Sequence, residues 1–306
     1  MEKISNKEFE KLDNTALTIG KFDGLHKGHQ MLIDRLNSLK EKGLSSVVFT
    51  FKTAPRKVLG MEEGECILTS YEKELFLENR NVDYYIEYPC DTSVLSMSAE
   101  KFVKDIVVDK IGAKYIVCGD DFHFGKDRVG DVSLLHRLGK EYGFEVIILE
   151  KLKYDKKDIS SSRIRESVRV GEIELANKLL GYTYTIIGKV VSGMKLGRKL
   201  GFPTANINPE NTKLLPPNGV YYTKACIDGN EYKGVTNIGK KPTVNNDETI
   251  NVETCFLDFS GDLYGKSVEI EFFKFVRPEK KFSSVEDLKA QIEEDVKGCR
   301  EYNFGG

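Results

Sequence analysis

The sequence predicts two folds in one chain. An open α/β sheet comes first, then an antiparallel barrel or sandwich with a closing helix. Three observations carry this. Strand-like and helix-like runs alternate up to about residue 180. Short strand-like runs separated by turn residues come next. The chain then closes on one amphipathic helical run. Alternation implies parallel βαβ units, whose ligands sit beyond the carboxyl ends of the strands. Consecutive short strands imply antiparallel pairing.

In chain order, Ala16–Ile19 is short and apolar, and residues 28–42 carry Leu32, Leu36 and Leu39 at helical spacing. Ser46–Phe51, β-branched and aromatic, is a strand. Tyr71–Arg80 is a helix and Asp83–Tyr88 a strand. Ser98 caps a helix running to Ile111. Lys114–Cys118 is a strand, Val132–Tyr142 a helix and Phe144–Leu149 a strand. Two short helices, Ser162–Val170 and Glu172–Leu180, flank Gly171. Beyond Gly181 the strands are Tyr184–Val191, Val220–Ile227, Glu231–Asn237, Val252–Phe259 and Ser267–Val276. Ser283–Lys297 is the last helix, with Val285, Leu288, Ile292 and Val296 on one face. The domain boundary is expected at residue 183, giving 1–183 and 184–306.

The 306 residues suit two domains, and 46 basic against 48 acidic side chains leave a net charge of -2. That balance carries no basic footprint for nucleic acid. No apolar run approaches the ~20 residues that cross a bilayer. The start, MEKISNKEFE, lacks the apolar core of a signal peptide. Six scattered cysteines without a C-x-x-C pair read as reduced, buried thiols of a cytoplasmic protein.

The sharpest motif runs Gly20-Lys-Phe22-Asp23-Gly24-Leu-His26-Lys-Gly28-His29, between the first strand and the first helix. Two histidines three apart at a helix start can face one point. Free N–H groups and the helix dipole suit phosphate there. A nucleoside triphosphate attacked at its α-phosphate fits this arrangement, with both imidazoles donating as charge develops. Surface or zinc histidines are the other reading. H-E-x-x-H is absent and no cysteine lies near, and the strand, glycines and helix in register favour phosphate.

Two further stretches stand at element ends. Ile159-Ser-Ser-Ser162-Arg163-Ile-Arg165 precedes a helix. It reads as a second anion grip or as a capping serine with solvated arginines. Gly119-Asp-Asp121-Phe122-His-Phe-Gly125 comes directly after a strand. It reads as a contact for a flat ring or as an ordinary turn with packed phenylalanines. In the second half, Gly193-Met-Lys-Leu-Gly197-Arg-Lys-Leu-Gly201-Phe-Pro-Thr204-Ala-Asn206 lacks the Walker A pattern. Its glycines let backbone wrap phosphates, and Thr204 and Asn206 share a face as oxygen ligands for Mg²⁺. A glycine-rich turn with a solvated Thr and Asn is the equal alternative.

GKFDGLHKGH, GDDFHFG and ISSSRIR resemble the adenylyltransferase module of bacterial bifunctional riboflavin kinase/FAD synthetases, a branch of the HxGH nucleotidylyltransferases. The Gly193–Asn206 stretch resembles the riboflavin kinase signature G-x-x-x-G-R-x-L-G-F-P-T-A-N. Gly219-Val-Tyr221, Asn237-Ile-Gly239, Lys241-Pro-Thr243, Val252-Glu253-Thr-Cys-Phe and Asp262-Leu-Tyr-Gly265 fit the same family. The resemblance covers nearly the whole chain. It implies a Rossmann-like α/β domain, then an antiparallel β-barrel with a C-terminal helix.

The resemblance also implies roles. His26 and His29 hold the ATP phosphates, with Ser162 and Arg165 closing over them. Gly20, Phe22, Asp23, Gly24, Gly28 and Arg163 belong to the nucleotide-binding motifs. Asp121 and Phe122 stand beside the flavin phosphate or ring, and Arg277 near the flavin. Gly193, Gly197 and Gly201 wrap phosphates, Thr204 and Asn206 hold Mg²⁺, and Glu253 is the catalytic base. Two departures stand out. Phe51-Lys-Thr53-Ala54-Pro55 replaces the usual Phe-x-Pro-His-Pro, and Cys255 replaces a histidine two residues after the base.

The expected protein phosphorylates riboflavin to FMN with ATP, then adenylylates FMN to FAD. Flavin-requiring apoproteins would take the products. Two rivals are an adenylyltransferase for another phosphate acceptor and a non-catalytic flavin sensor. The kinase signature opposes the first. Glu253, which a sensor could lose freely, opposes the second.

Overall fold

The structure, a computed structural model, describes residues 1–52, 58, 60, 64–192, 202–241 and 249–305. The chain divides into two compact units, Met1–Ser160 and Ser161–Gly306. The division falls before the two short helices, whereas the sequence placed the boundary after them.

In the first unit six parallel strands form one sheet: β1 (Glu2–Ile4), β2 (Thr15–Ile19), β3 (Ser45–Phe51), β4 (Tyr84–Tyr88), β5 (Ala113–Gly119) and β6 (Glu145–Leu149). Their order is β1-β4-β3-β2-β5-β6. Leu17, Val47, Phe49, Ile86 and Ile116 enter a core with Phe102, Val103, Ile106, Leu135 and Leu138. Their strand neighbours Ala16, Val48, Tyr85 and Val117 are equally buried. Both faces of the sheet are therefore covered, as parallel sheets require.

The helices are α1 (Lys27–Ser38), α2 (Ser70–Glu78), α3 (Thr92–Leu95), α4 (Ala99–Phe102) and α5 (Val132–Tyr142). The helix expected from Ser98 to Ile111 begins as α4 and widens into π-type turns over Val103–Val108. A small hairpin, β7 (Lys153–Tyr154) with β8 (Lys157–Asp158), ends the unit.

The chain moves outward from β2 to β3 and β4, then returns to place β5 on the other side of β2. The strand order therefore reverses at β2, and a crevice opens at its carboxyl end. The Gly20–His29 loop leaves β2 there, and the Gly119–Gly125 loop leaves the neighbouring β5.

The second unit opens with α6 (Ser161–Arg169) and α7 (Ile173–Leu180). Ile173, Ala176, Leu179 and Leu180 of α7 are fully buried. Asn177 donates to the Phe272 carbonyl at 2.8 Å and accepts from the Tyr184 amide at 2.8 Å. These ties explain why the helix pair clusters with the barrel strands. Six antiparallel strands close that barrel: β9 (Tyr184–Val191), β10 (Thr204–Pro209), β11 (Gly219–Ile227), β12 (Asn230–Lys241), β13 (Thr249–Phe256) and β14 (Ser267–Arg277). The barrel, one of the two antiparallel architectures expected, has a partly polar interior. The hydroxyls of Thr223, Thr236 and Thr254 form a chain with 2.8 Å links.

Helix α8 (Val285–Glu301) closes the chain. Its inward face differs from the expected one. Val285 is 55% exposed, while Asp295 and Cys299 are buried. Cys299 donates to the Gly234 carbonyl, and Arg277 grips Asp295 through two nitrogens at 3.1 and 2.6 Å. A polar latch therefore replaces one turn of apolar packing. None of the six cysteines forms a disulfide, but Cys226 is exposed and Cys66 half-buried, so the expectation of six buried thiols holds for four.

Candidate active sites

In the loop after β2, Phe22 and Leu25 adopt left-handed backbone, with φ of 48° and 38°, beside Gly24 at 82°. Non-glycine residues resist that region. Both are held in it by complete burial, Phe22 at 1% and Leu25 at 0% exposure. Asp23, also buried, accepts the Ile67 amide at 2.8 Å and the Leu68 amide at 3.5 Å. The loop is thus fixed before any ligand arrives.

His26 is the N-cap of α1, and its Nδ1 accepts the His29 amide at 3.4 Å. An acceptor Nδ1 leaves the ring proton on Nε2, free to donate. The two imidazoles stack, centroids 3.7 Å apart and 17° from parallel. Phe22 meets His29 edge-on at 5.1 Å. A Cβ at Gly28 would press on His26 Nδ1 and Cε1 at 3.3 Å, so glycine preserves the cap. His29 Nδ1 is buried with no hydrogen-bond partner among the described residues. Burial pushes His26 down to about 4 against a weaker upward pull from Asp23. Burial, then His26 and Lys73, push His29 well below its ordinary value. Both rings are therefore neutral at pH 7. They offer N–H donors and one orphaned nitrogen, not charge.

The other residues expected at this site are more dispersed. Gly20 lies against the Phe22 ring. Asp121 is exposed and pairs with Lys151 at 2.8 Å. Phe122, half-buried, stacks on Phe124 at 5.5 Å. Ser162, Arg163 and Arg165 lie on the first turns of α6 in the second unit. Thr53, Ala54 and Pro55 lie outside the described residues.

In the barrel, Glu253 of β13 stands in register between Asn206 of β10 and Asn237 of β12. Thr204, two residues before Asn206, donates its hydroxyl to Glu253 at 2.5 Å. The flanking β13 residues Val252 and Thr254 are fully buried. By alternation the Glu253 row faces out of the barrel. Asn206 is 4% exposed even so. A hydroxyl, an amide oxygen and a carboxylate meeting on one wall are all hard donors, the set that Mg²⁺ takes, so the residues fit that ion. Cys255 shares this face. Burial, with a smaller contribution from Glu253, pushes its thiol up to about 11, so it stays protonated beside the carboxylate.

Sequence reasoning missed Asn237 as a member of this row, together with its partner Glu279 at 3.2 Å. Only register across β12 reveals it. The glycine loop with Gly193, Gly197 and Gly201 lies outside the described residues. Arg277 is committed to Asp295.

Residues 8–163 match the family model described as FAD synthetase, and residues 180–303 the one described as riboflavin kinase. A Pseudomonas fluorescens protein named bifunctional riboflavin kinase/FMN adenylyltransferase is 38% identical over 284 residues, 92% of this chain and 91% of that one. The Escherichia coli K12 protein of the same name is 35% identical over 296 residues, 96% of this chain and 94% of that one. A solved Streptococcus pneumoniae structure described as a macrolide-efflux protein superposes with TM-score 0.89 at 31% identity, covering 98% of this chain and 99% of that one. Among the described residues no helix is long and apolar enough to cross a membrane.

Proposed function

The chain belongs to the bifunctional riboflavin kinase/FMN adenylyltransferase family, and on that premise we propose which of its residues do each half of the work. It phosphorylates riboflavin with ATP to give FMN, and it transfers AMP from a second ATP to FMN, giving FAD and pyrophosphate.

The kinase half rests on the hydrogen bond from Thr204 to Glu253 beside the Asn206–Glu253 register. One oxygen of Glu253 accepts the Thr204 hydroxyl, and the other is left to accept the proton of the riboflavin 5′-hydroxyl. That alcohol oxygen then attacks the γ-phosphorus and ADP departs. Thr204 and Asn206 would hold Mg²⁺, which supplies charge neutralisation for the phosphates.

In the first unit the nucleophile is the FMN phosphate, already ionised near pH 7. It forms a bond to the α-phosphorus of ATP while the bond to pyrophosphate breaks. This step needs position and charge stabilisation more than a base. His26 Nε2–H and the open amides of the first turn of α1 meet the phosphate oxygens. Asp121 and Phe122 are assigned to the flavin side. Arg163 and Arg165 on α6 are assigned to anion contacts. The cytoplasmic location is part of the same proposal, supported by six cysteines with no disulfide among them in an ATP-consuming enzyme.

Glu253→Gln tests the assignment. It keeps the shape but cannot take the proton. Riboflavin phosphorylation should fall about 100- to 10,000-fold, nearer the low end because phosphoryl transfer leans on position and metal. Given FMN, the same variant should make FAD at close to the parent rate. Kinase turnover within threefold of the parent would remove Glu253 from the mechanism.

A further inference from the structure

The two histidines of the adenylyl-transfer site are neutral, yet a triphosphate is strongly anionic. The lysine whose charge acts on His29 comes from outside the motif. Lys73, on α2, donates its ammonium to the Lys21 carbonyl at 3.2 Å, inside the loop that carries Phe22 and Asp23. Its charge, after burial and His26, helps push the His29 imidazole down.

Its position is built rather than incidental. Helix α2 starts on a reciprocal cap, Thr69 accepting the Glu72 amide at 3.2 Å and Glu72 accepting the Thr69 amide at 2.8 Å. Asp23 clamps the preceding residues Ile67 and Leu68 to the histidine loop. Lys73 thus reaches the loop from a helix tied to it at two points.

An ammonium has three donors, and Lys21 takes one. Among the described residues the carboxylates that act on it, Asp23 and Glu87, do so through their charge. Burial pushes its charge-holding tendency below the ordinary lysine value, and Asp23 leads the groups that pull it back. A cation held beside a phosphate-binding loop with donors to spare gains most from an anion.

We propose that Lys73 is the charged contact of the adenylyl-transfer site, binding the polyphosphate of ATP beside His29 and staying with the departing pyrophosphate. The assignment rests on the adenylyl-transfer reading of this loop. Attack on the α-phosphorus moves an electron pair onto the oxygen that leaves with pyrophosphate. A fixed ammonium stabilises that growing charge without transferring a proton.

Full-length Lys73→Gln and Lys73→Arg, assayed in both directions, test it. Lys73→Gln should lose about 100-fold or more in kcat/KM for ATP in FAD formation. In the reverse direction, with FAD and inorganic pyrophosphate, its KM for pyrophosphate should rise at least tenfold. Lys73→Arg, which keeps the charge, should recover at least a tenth of parental activity. Riboflavin phosphorylation, in the same tube, should stay within twofold in both variants. Lys73→Gln within threefold of the parent in both directions overturns the proposal. So does equal loss in Gln and Arg variants with the kinase intact, which makes the role one of packing. Should Lys73→Gln also lose the kinase by misfolding, the parent with ¹⁵N-labelled lysine decides. Saturating pyrophosphate must shift the Lys73 ammonium resonance, assigned by its loss in Lys73→Arg, and an unmoved resonance overturns the proposal. A parent that makes no FAD at all would instead fail the reading beneath it.

Discussion

At the scale of single residues, His26 and His29 are held neutral by burial in the folded chain. In the unfolded chain each titrates near its ordinary value of about 6.5. Below that pH the unfolded state binds more protons, so stability must fall as pH falls. For His26 the window runs from about 6.5 down to about 4. The slope is up to about 1.4 kcal/mol per pH unit for each proton taken up. Urea unfolding followed by circular dichroism between pH 7.0 and 5.5 should show it. A His26→Gln/His29→Gln double variant should be flatter over the same range. An unchanged slope in that variant would place the titration elsewhere. The histidine pair was legible in the sequence because its geometry is local: glycines, a strand end and a helix start within ten residues. Lys73 was not. It lies 52 residues from its carbonyl partner. Nothing in SYEKELFLE tells a half-buried cation tied to a loop from a lysine on a solvated face.

At the scale of elements, β-strands with alternating or β-branched residues were legible, and Tyr184–Val191 matches its expected bounds. Strand β10 was not, because TANINP has little strand propensity. It is a strand because β9 and β13 pair with both its edges. The three-residue β1 was likewise too short to show a period. The terminal helix was legible as a helix but not in its seating, since Asp295 is a poor candidate for an inward face until Arg277 is found opposite it. Asp295 is 5% exposed, and losing its bidentate partner would leave a carboxylate uncompensated. Breaking a buried pair costs about 3–5 kcal/mol, and the partly exposed Arg277 argues for the lower figure. Arg277→Ala should therefore lower the thermal unfolding temperature of the barrel half. The paired variant Arg277→Met/Asp295→Leu should recover much of the loss. An Arg277→Ala protein with unaltered unfolding but a raised KM for riboflavin would return the residue to the flavin contact its sequence position implies.

At the scale of the whole molecule, the helix pair α6–α7 decides where the chain can be cut. Its buried side chains and the Asn177 bridge belong to the barrel half. Residues 161–306 expressed alone should fold and convert riboflavin to FMN. Residues 184–306, stripped of α7, should unfold at least roughly 5 °C lower, on the scale of a few kcal/mol for a unit of this size. Scanning calorimetry of the two fragments compares them. Equal transition temperatures would show that the helices add nothing to the barrel.

The division into two units has a consequence for inheritance. Each half has its own core, so a lesion in one need not silence the other. A copy damaged at Glu253 keeps its His26–His29 loop, and a copy damaged at His29 keeps its barrel. Two such alleles in one cell hold between them one sound version of each step, joined by FMN as a diffusible intermediate. Genetically the locus then behaves as two cistrons sharing a reading frame, with mutations sorting into two groups that complement across groups and fail within them.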